Sequence, residues 1–356
     1  RYSPQERSFV IESRSTEQTK FSCTYRHGDQ AGAVVWQWAA PYAEPTGVTR
    51  YWTGLGEDNL ASTAANWSDG VAPEVGDSIL LDGTSTKDMT WDAGMRDVLV
   101  YDWTQTPDYT GTVTVETTYN ATHPVLEILH NVVLSGGTWR QKANPACVWS
   151  SGFITYYRDY RLYVRVGGAM TVAEGVTLTA AGMGYSVPFL KSAYFKDNNY
   201  LGGSHGGLGA WNKDYLSPDY TGDETYDSVV APVEPGGGGK SNGGGAIRLD
   251  VAGALTLDGV VNADASTGPY YTGAGGSVAI RTSALVGGGL ITANGGNVGN
   301  DYTGSGGRIA VILTDEGETI DRFVGKMEAY SGKISSAAVP YPRGSAGTIY
   351  IEEVSD

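Results

Sequence analysis

Apolar and polar residues alternate along short runs in the last third of the chain, and these runs recur at a fixed spacing. The phrase Gly-Gly-X-apolar-X-apolar begins at residues 244, 275 and 306, and a variant with Ala in first place begins at residue 346. The first two steps are 31 residues and the last is 40. Alternation predicts β-strands with one buried face, and a constant period predicts that equivalent strands stack on one another.

A second phrase, an apolar residue followed by X-Ala and a small turn, recurs between copies of the first. Its apolar residues are Leu178, Val261, Ile291 and Met327. A helical alternative fails because glycine runs such as 236–239 would destabilise any helix. The two phrases together predict an all-β fold, a right-handed parallel β-helix, whose hand follows from the general bias of parallel crossover connections.

The repeat predicts that residues 51–356 form the parallel β-helix, and residues 1–50 lack it. Alternating runs at 21–25 and 34–38 predict antiparallel strands, so we expect residues 1–50 to form a small N-terminal β cap over the open end of the β-helix. For the tryptophans at 36 and 38, a core role is favoured over a sugar-stacking surface. Further strands are predicted at 98–100, 113–115, 126–129, 132–134 and 162–166.

A long Gly/Tyr-rich loop insertion interrupts the repeat over about residues 184–243. A connection of this length inside a compact repeat array is typically functional or disordered. Its many aromatic residues favour an ordered, functional loop. We therefore expect the insertion to contribute ligand contacts.

Tyr271 and Tyr302 precede two copies of the Gly-Gly phrase by the same offset. The spacing predicts that they lie one above the other on adjacent coils, roughly 5 Å apart in height. Rings beside Asp and Asn bind neutral sugars, because the apolar sugar face packs on the ring while hydroxyls bond to carboxylates and amides. For this pair, the alternative of an aromatic ladder that holds the coils in register is slightly favoured over ligand contact. The expected carbohydrate-binding residues are Tyr194, Trp211, Tyr215, Tyr220, Tyr226, Tyr271 and Tyr302.

The net charge of −15 changes the range of possible ligands. No basic run is present, which argues against nucleic acid. Polyanions such as pectate or alginate are disfavoured unless calcium bridges the charges, and a neutral polymer fits better. No apolar run is long enough to span a bilayer, so no membrane partner is expected.

The two cysteines, Cys23 and Cys147, are compatible with two alternatives: buried thiols, or one long-range disulfide. Calcium is a second open question. The runs Asp-Asn-Asn at 197–199 and Asn-Asp at 300–301 carry suitable oxygens but match no defined calcium loop, so turn formation is their default role and a metal is left undecided. No cofactor is expected otherwise. The start at Arg1, without an initiator Met or a signal peptide, suggests a piece of a longer, secreted protein.

A β-helical polysaccharide lyase or glycoside hydrolase is the rival class. The run Gly-Ser-His-Gly at 203–206 is similar to the Gly-His-Gly motif of polygalacturonases, and 307–309 is weakly similar to their Arg-Ile-Lys. That family also needs an Asp-Asp motif for paired carboxylates, and this chain contains none. We expect His205 to be a turn residue, and no catalytic residue is assigned.

The segment from residue 51 to residue 83 resembles the opening coils of bacterial extracellular β-solenoid proteins, including autotransporter-like passengers. The resemblance rests on Asn-Trp-Ser at 66–68 and on Gly-Asp at 76–77. It keeps a structural adhesin as another alternative. Asn66 and Asp77 are expected to cap turns through side-chain to backbone hydrogen bonds.

In size, Gly-rich repeats and Tyr-rich loop, the chain resembles carbohydrate-binding module family 89 over roughly residues 50–356. That resemblance implies a large β-helical module from gut bacteria that binds xylan without catalysis and directs a covalently linked xylanase to the plant cell wall. No binding residue is carried over from the family. The sequence therefore leads us to expect a secreted, non-catalytic module with xylan or a related neutral polysaccharide and a linked catalytic domain as partners.

Overall fold

The computed structural model describes residues 7–14, 18–25, 34–41, 45–118, 125–150, 153–155, 159–186, 201–210, 224–299, 301–335 and 342–354. These residues form strands and three short 3-10 helices, Ala64–Asn66, Ala93–Met95 and Ile320–Arg322. None of the helices in these ranges is long and apolar enough to cross a membrane. The fold is all-β, as the alternating pattern predicts.

The first three strands form an antiparallel sheet of their own. They are β1 (Arg7–Arg14), β2 (Gln18–Tyr25) and β3 (Val34–Pro41), hydrogen-bonded in that order. The antiparallel strands predicted at 21–25 and 34–38 are therefore confirmed as the pair β2 and β3.

The other strands follow in chain order. They are β4 (Thr49–Tyr51), β5 (Ser78–Leu81), β6 (Met89–Trp91), β7 (Trp103–Gln105), β8 (Thr112–Val115), β9 (Thr117–Thr118), β10 (Leu126–Ile128), β11 (Val132–Leu134), β12 (Thr138–Gln141), β13 (Val148–Ser150), β14 (Phe153–Thr155), β15 (Tyr160–Val166), β16 (Met170–Val172), β17 (Thr177–Thr179), β18 (Ala246–Val251), β19 (Leu255–Leu257), β20 (Val260–Asn262), β21 (Ser277–Thr282), β22 (Leu285–Val286), β23 (Leu290–Thr292), β24 (Arg308–Leu313), β25 (Lys326–Glu328) and β26 (Thr348–Glu352).

Three parallel sheets take up most of these strands. The first sheet has the order β10-β15-β18-β21-β24-β26, with β9 antiparallel to β15; the second is β22-β19-β16-β11-β7-β5-β4; the third is β25-β23-β20-β17-β12-β8-β6. From β15 to β23 the chain visits the first, second and third sheets in turn, and we call each such passage a coil. β13 and β14 form a separate antiparallel pair.

The strand registers match both repeated phrases. In the first sheet Ala246 aligns with Ser277, Ser277 with Arg308, and Arg308 with Thr348. In the third sheet the aligned residues are Leu178, Val261, Ile291 and Met327. The stacking of equivalent strands predicted from the repeats is therefore confirmed.

The apolar core lies between the sheets. On β18 the side chains of Ile247, Leu249 and Val251 are buried, while Arg248 and Asp250 between them are half-exposed. Trp103 is fully buried and meets Trp91 and Trp139 edge-to-face, with ring centroids 5.2 and 5.3 Å apart. Each strand thus places one face in a shared interior and points the other face outward.

Two local predictions differ from the structure. Residues 98–100 do not form a strand; Val100 alone makes a bridge, to Ile128. The cause is the turn after the second 3-10 helix, where the Val98 N–H donates to the Met95 carbonyl instead of to a neighbouring strand. β4 begins at Thr49, so the parallel array starts slightly before the predicted boundary at residue 51.

Side-chain caps predicted in the early coils are confirmed. Asn66 is fully buried, and its Oδ1 accepts from the Gly56 N–H at 2.9 Å. Asp77 accepts from the Glu74 N–H at 3.0 Å and from Arg50 Nε at 2.6 Å. Both residues therefore hold turns through hydrogen bonds to backbone.

Cys147 is a half-buried free thiol. The Cys23 side chain lies outside the described part of the chain.

Candidate functional site

Tyr271 and Tyr302 are stacked as their spacing predicts. Their ring centroids are 5.6 Å apart and the ring planes differ by 10°. They are 8% and 6% exposed, and they form one buried cluster with Ala210 of the insertion. Burial leaves little of either ring for a ligand, so the geometry favours the alternative, a ladder between coils. Their neighbour Tyr270 is 51% exposed, and Lys240 Nζ lies 4.8 Å from its ring centroid.

Four of the seven predicted binding residues lie outside the described residues. They are Tyr194, Trp211, Tyr215 and Tyr220. The described parts of the insertion are bound to the coils by backbone hydrogen bonds, such as Gly203 N–H to the Thr272 carbonyl at 2.9 Å and Ala210 N–H to the Thr303 carbonyl at 3.0 Å. The insertion is therefore attached to the same coils that carry the tyrosine stack.

Tyr226 belongs to a polar cluster within the insertion. Its ring lies against His205 with centroids 4.8 Å apart, and its hydroxyl donates to the Pro235 carbonyl at 2.6 Å. His205 is fully buried, with Nδ1 2.8 Å from the Gly275 carbonyl and Nε2 3.5 Å from Asp227. The expected contact of this histidine with backbone is therefore present.

Arg308 joins the same cluster and brings the two polygalacturonase-like runs together. Its Nε donates to the Tyr226 carbonyl at 2.8 Å, and burial lowers its pKa, partly opposed by Asp227. Arg308 is 5% exposed and His205 fully buried, so a polymer cannot reach either side chain in this conformation. The cluster joins the insertion to the first sheet.

Among the described residues, a groove on the turns that follow the third sheet is a candidate surface for a sugar. Its cavity measures about 430 Å³. The lining residues are Asp264, Ala265, Thr267, Asn294, Gly295, Asn297, Glu328, Tyr330, Ser331 and Lys333. They come from the turns after β20, β23 and β25, so the groove runs across three successive coils. We call it the third-sheet groove.

A ladder of side-chain to backbone hydrogen bonds fixes the walls of this groove. Asp264 Oδ1 accepts from the Asn294 N–H at 2.5 Å, and Asn294 Oδ1 accepts from the Tyr330 N–H at 2.8 Å. Further along, Asn297 Oδ1 accepts from the Lys333 N–H at 2.8 Å. Each turn therefore positions the next, and within the described part of the chain no hydrogen bond occupies the amide nitrogen of Asn297, which is a donor at the groove wall.

The groove contains two carboxylates and a cation. Burial raises the pKa of Asp264, the nearby charge of Glu328 raises it further, and hydrogen bonds around Asn294 and Thr292 act in the opposite direction. Lys333 is exposed at the rim. The carboxylates can accept hydrogen bonds from hydroxyls, and Lys333 can donate them. The two carboxylates disfavour an anionic polymer.

Tyr330 is the exposed aromatic residue of the third-sheet groove. It is 57% exposed and lies beside the carboxylates and amides of the groove. The apolar face of a pyranose packs on such a ring, while its hydroxyls reach the polar walls. This residue was not among those expected from the sequence.

Sequence reasoning missed the groove although its signal was present. The second repeated phrase continues as Ala-Asp, Ala-Asn and Ala-Tyr at residues 263–264, 293–294 and 329–330. Those last residues occupy equivalent turn positions, so the phrase aligns Asp264, Asn294 and Tyr330, but they were expected only to form turns.

Within the described residues, no group of three or more His, Cys, Asp or Glu side chains is arranged to hold a metal ion. Of the calcium candidates, residues 197–199 and Asn300 lie outside the described residues. Asp301 is described, and its side chain accepts from the Tyr302 N–H at 3.1 Å, which is the turn-forming role expected by default.

No family model, curated protein or solved structure matches this chain. We therefore infer the function from the geometry of the groove and from the chemistry of its side chains.

Proposed function

We propose that this chain is a non-catalytic carbohydrate-binding module that binds xylan, or a closely related neutral plant cell-wall polysaccharide, in the third-sheet groove. The observation that carries the proposal is the exposed ring of Tyr330 beside the carboxylates and amides of the groove. A cavity of about 430 Å³ is within the usual size of small-molecule sites, roughly 300–1,000 Å³.

We also propose that the three parallel sheets form a right-handed parallel β-helix. The in-register ladders in three parallel sheets support a right-handed parallel β-helix, since parallel crossover connections are right-handed in almost every known case. In such a helix the turns after one sheet form a continuous surface along the long axis. A linear polymer fits this surface better than a compact ligand does.

The charge supports a neutral ligand. A net charge of −15 and two carboxylates in the groove repel pectate-like chains, whereas xylan hydroxyls bond to both carboxylates and amides. In keeping with the resemblance to carbohydrate-binding module family 89, we propose that the module is secreted by a bacterium and directs a linked glycoside hydrolase to xylan.

Affinity electrophoresis in gels containing xylan tests the proposal. We expect xylan to retard the protein, and Tyr330→Ala to weaken binding by about tenfold, since an exposed ring that stacks on a ligand contributes more than 1 kcal/mol. Tyr51→Ala is the matched control, because Tyr51 is 41% exposed on β4 and does not line the groove. Equal retardation of wild type and Tyr330→Ala refutes the site, and no retardation by any soluble glycan favours the adhesin alternative.

One observation favours a second candidate, a polysaccharide hydrolase or lyase in the same groove. Asp264 and Glu328 both line the groove, and burial and the charge of Glu328 raise the pKa of Asp264. Two carboxyl groups with different pKa values can supply the general acid and the base of glycoside hydrolysis. Incubation with a glycan panel, followed by assays for reducing and unsaturated ends, separates the two functions. Product release that is lost in Asp264→Asn would make this chain an enzyme.

A further inference from the structure

The outward face of the first sheet contains a cleft that shares no lining residue with the third-sheet groove. Aligned positions on β15, β18, β21, β24 and β26 are Tyr163, Arg248, Ala279, Ala310 and Tyr350. Two alanines thus stand between large side chains on either side. Because neighbouring strands lie about 4.8 Å apart, the missing side chains open a gap two strands wide.

A segment of the insertion covers this gap and makes it a cavity. Residues 230–233 (Val-Ala-Pro-Val) pass over the face, and the space between measures about 150 Å³. Its walls are Ala279, Ala310 and Ile312 on the sheet. The walls are therefore largely apolar, and the size suits one sugar-sized group rather than a chain. We call this space the Arg281 cleft.

The two arginines of the cleft, Arg248 and Arg281, differ in whether they form an ion pair. Arg248 Nη2 lies 2.9 Å from Asp250 Oδ2, and Tyr163 donates its hydroxyl to the same carboxylate at 2.6 Å. Arg281 also lines the cleft and is exposed, and within the described residues no carboxylate forms an ion pair with it. The cleft thus has two guanidinium groups and one carboxylate, and the Arg281 guanidinium is open to a ligand.

The two carboxylates on nearby strands, Asp250 and Glu352, are bonded to side chains other than Arg281. Asp250 is its aligned neighbour on β18 and is already bonded twice. On the other side Ile312 separates it from Glu352, whose carboxylate accepts from the Tyr350 hydroxyl at 2.8 Å. A local positive charge in a protein of net charge −15 favours a ligand with a single negative charge over a polyanion.

We propose that the Arg281 cleft binds a uronic acid unit, a sugar that carries one carboxylate, attached as a side group to a polysaccharide. Arg281 pairs with the carboxylate, for which the planar guanidinium has matching donors. The apolar side of the ring packs on Ala279 and Ile312. This goes beyond the proposed function, because it assigns a second site with different chemistry on another sheet.

The test compares two ligands that differ only in charge. One is a xylo-oligosaccharide with a single glucuronic acid branch, and the other is the same compound with the carboxyl reduced to an alcohol. Isothermal titration calorimetry should show tighter binding of the acidic ligand to wild type. Arg281→Gln should lower that affinity at least tenfold, as expected for hydrogen bonds to charged groups, and leave affinity for the reduced ligand unchanged.

Two more variants make the result specific. Arg96→Gln removes another exposed arginine that lines neither cavity and should bind both ligands as wild type does. Ala279→Leu fills the cleft while keeping Arg281 and should also weaken acidic-ligand binding. Equal wild-type affinity for both ligands, or no effect of Arg281→Gln, overturns the proposal.

The outcome also separates this site from the groove. Binding of the acidic ligand that depends on Arg281 but not on Tyr330 supports the cleft and counts against the groove. Binding of the reduced ligand that depends on Tyr330, with no effect of Arg281→Gln on either ligand, supports the groove and overturns the cleft.

Discussion

Single side chains hold the early coils in place, and Asp77 is the clearest example. It is 1% exposed and bonded to Arg50, Thr46 and the Glu74 N–H. Burial by itself raises the pKa of Asp77, but the hydrogen bonds from Thr46, Arg50 and the Glu74 N–H and the charge of Arg50 together outweigh burial, so its pKa lies below the usual value. The carboxylate is therefore part of the fold in its charged form.

This ionisation gives a prediction for pH. A carboxyl whose pKa is lowered by folding stabilises the protein above its unfolded pKa, near 3.8, and loses that contribution as pH falls through the folded value. Asp77→Asn leaves Arg50 with a weakened partner in a buried site and should cost about 3 kcal/mol at pH 7. Urea unfolding at pH 7 and at about pH 3 measures the difference, which should shrink in acid.

Asp321→Asn is the control for this series, because Asp321 is exposed on the third 3-10 helix. It should leave stability nearly unchanged at both pH values. A difference between wild type and Asp77→Asn that is as large in acid as at neutral pH would contradict the role given to the charged form.

At the scale of strands and turns, the close approach of successive coils depends on glycine. A Cβ added at Gly276 would collide with the Gly245 carbonyl oxygen on the preceding coil. At Gly288, by contrast, an added Cβ would meet nothing closer than 3.9 Å, and its backbone is not left-handed. The two positions therefore form a matched pair.

We expect Gly276→Ala to destabilise the protein by about 2 kcal/mol, as overpacking does, and to lower Tm by several degrees. Gly288→Ala should leave Tm unchanged or slightly raised, because alanine restricts the unfolded chain more than glycine. Thermal unfolding followed by circular dichroism measures both. Similar Tm values for the two variants would show that the coils can separate to admit a side chain.

The strands could be predicted from the sequence where buried apolar residues recur at a fixed period. Ile247, Val278 and Ile309 face the interior at a fixed period, so their apolar character is enough to indicate the register of β18, β21 and β24. Residues 98–100 share the apolar composition, but a local turn claims the Val98 N–H. Composition alone does not reveal such competition for a hydrogen bond.

The candidate site was much less predictable. The repeat aligns Asp264, Asn294 and Tyr330 as neighbouring turn residues, but their side chains differ in hydrophobicity, so composition does not mark them as a binding surface. Tyr271 and Tyr302 gave a clear periodic signal, but that signal reports stacking, and stacking buries both rings. Exposure depends on which chain segment lies above a residue, here the insertion that contributes Ala210.

For the whole molecule, the net charge of −15 sets a dependence on salt. Self-repulsion in the compact state should lower stability at low ionic strength. Raising NaCl from about 0.01 M to about 0.15 M shortens the Debye length from about 30 Å to about 8 Å, so Tm should rise. The rise should vanish near pH 4.7, the isoelectric point, and a rise of equal size there would contradict the explanation.

The 31-residue step between aligned strands has an evolutionary consequence. Duplicating one such unit in the gene adds one strand to each ladder and leaves every existing register intact, whereas a shorter or longer insertion inside a strand shifts its apolar residues to the wrong face. The third-sheet groove lies on the turns of these units, so each duplication lengthens it by one rung. The length of the groove can therefore grow or shrink in whole steps, by copying or deleting DNA, without invention of a new fold.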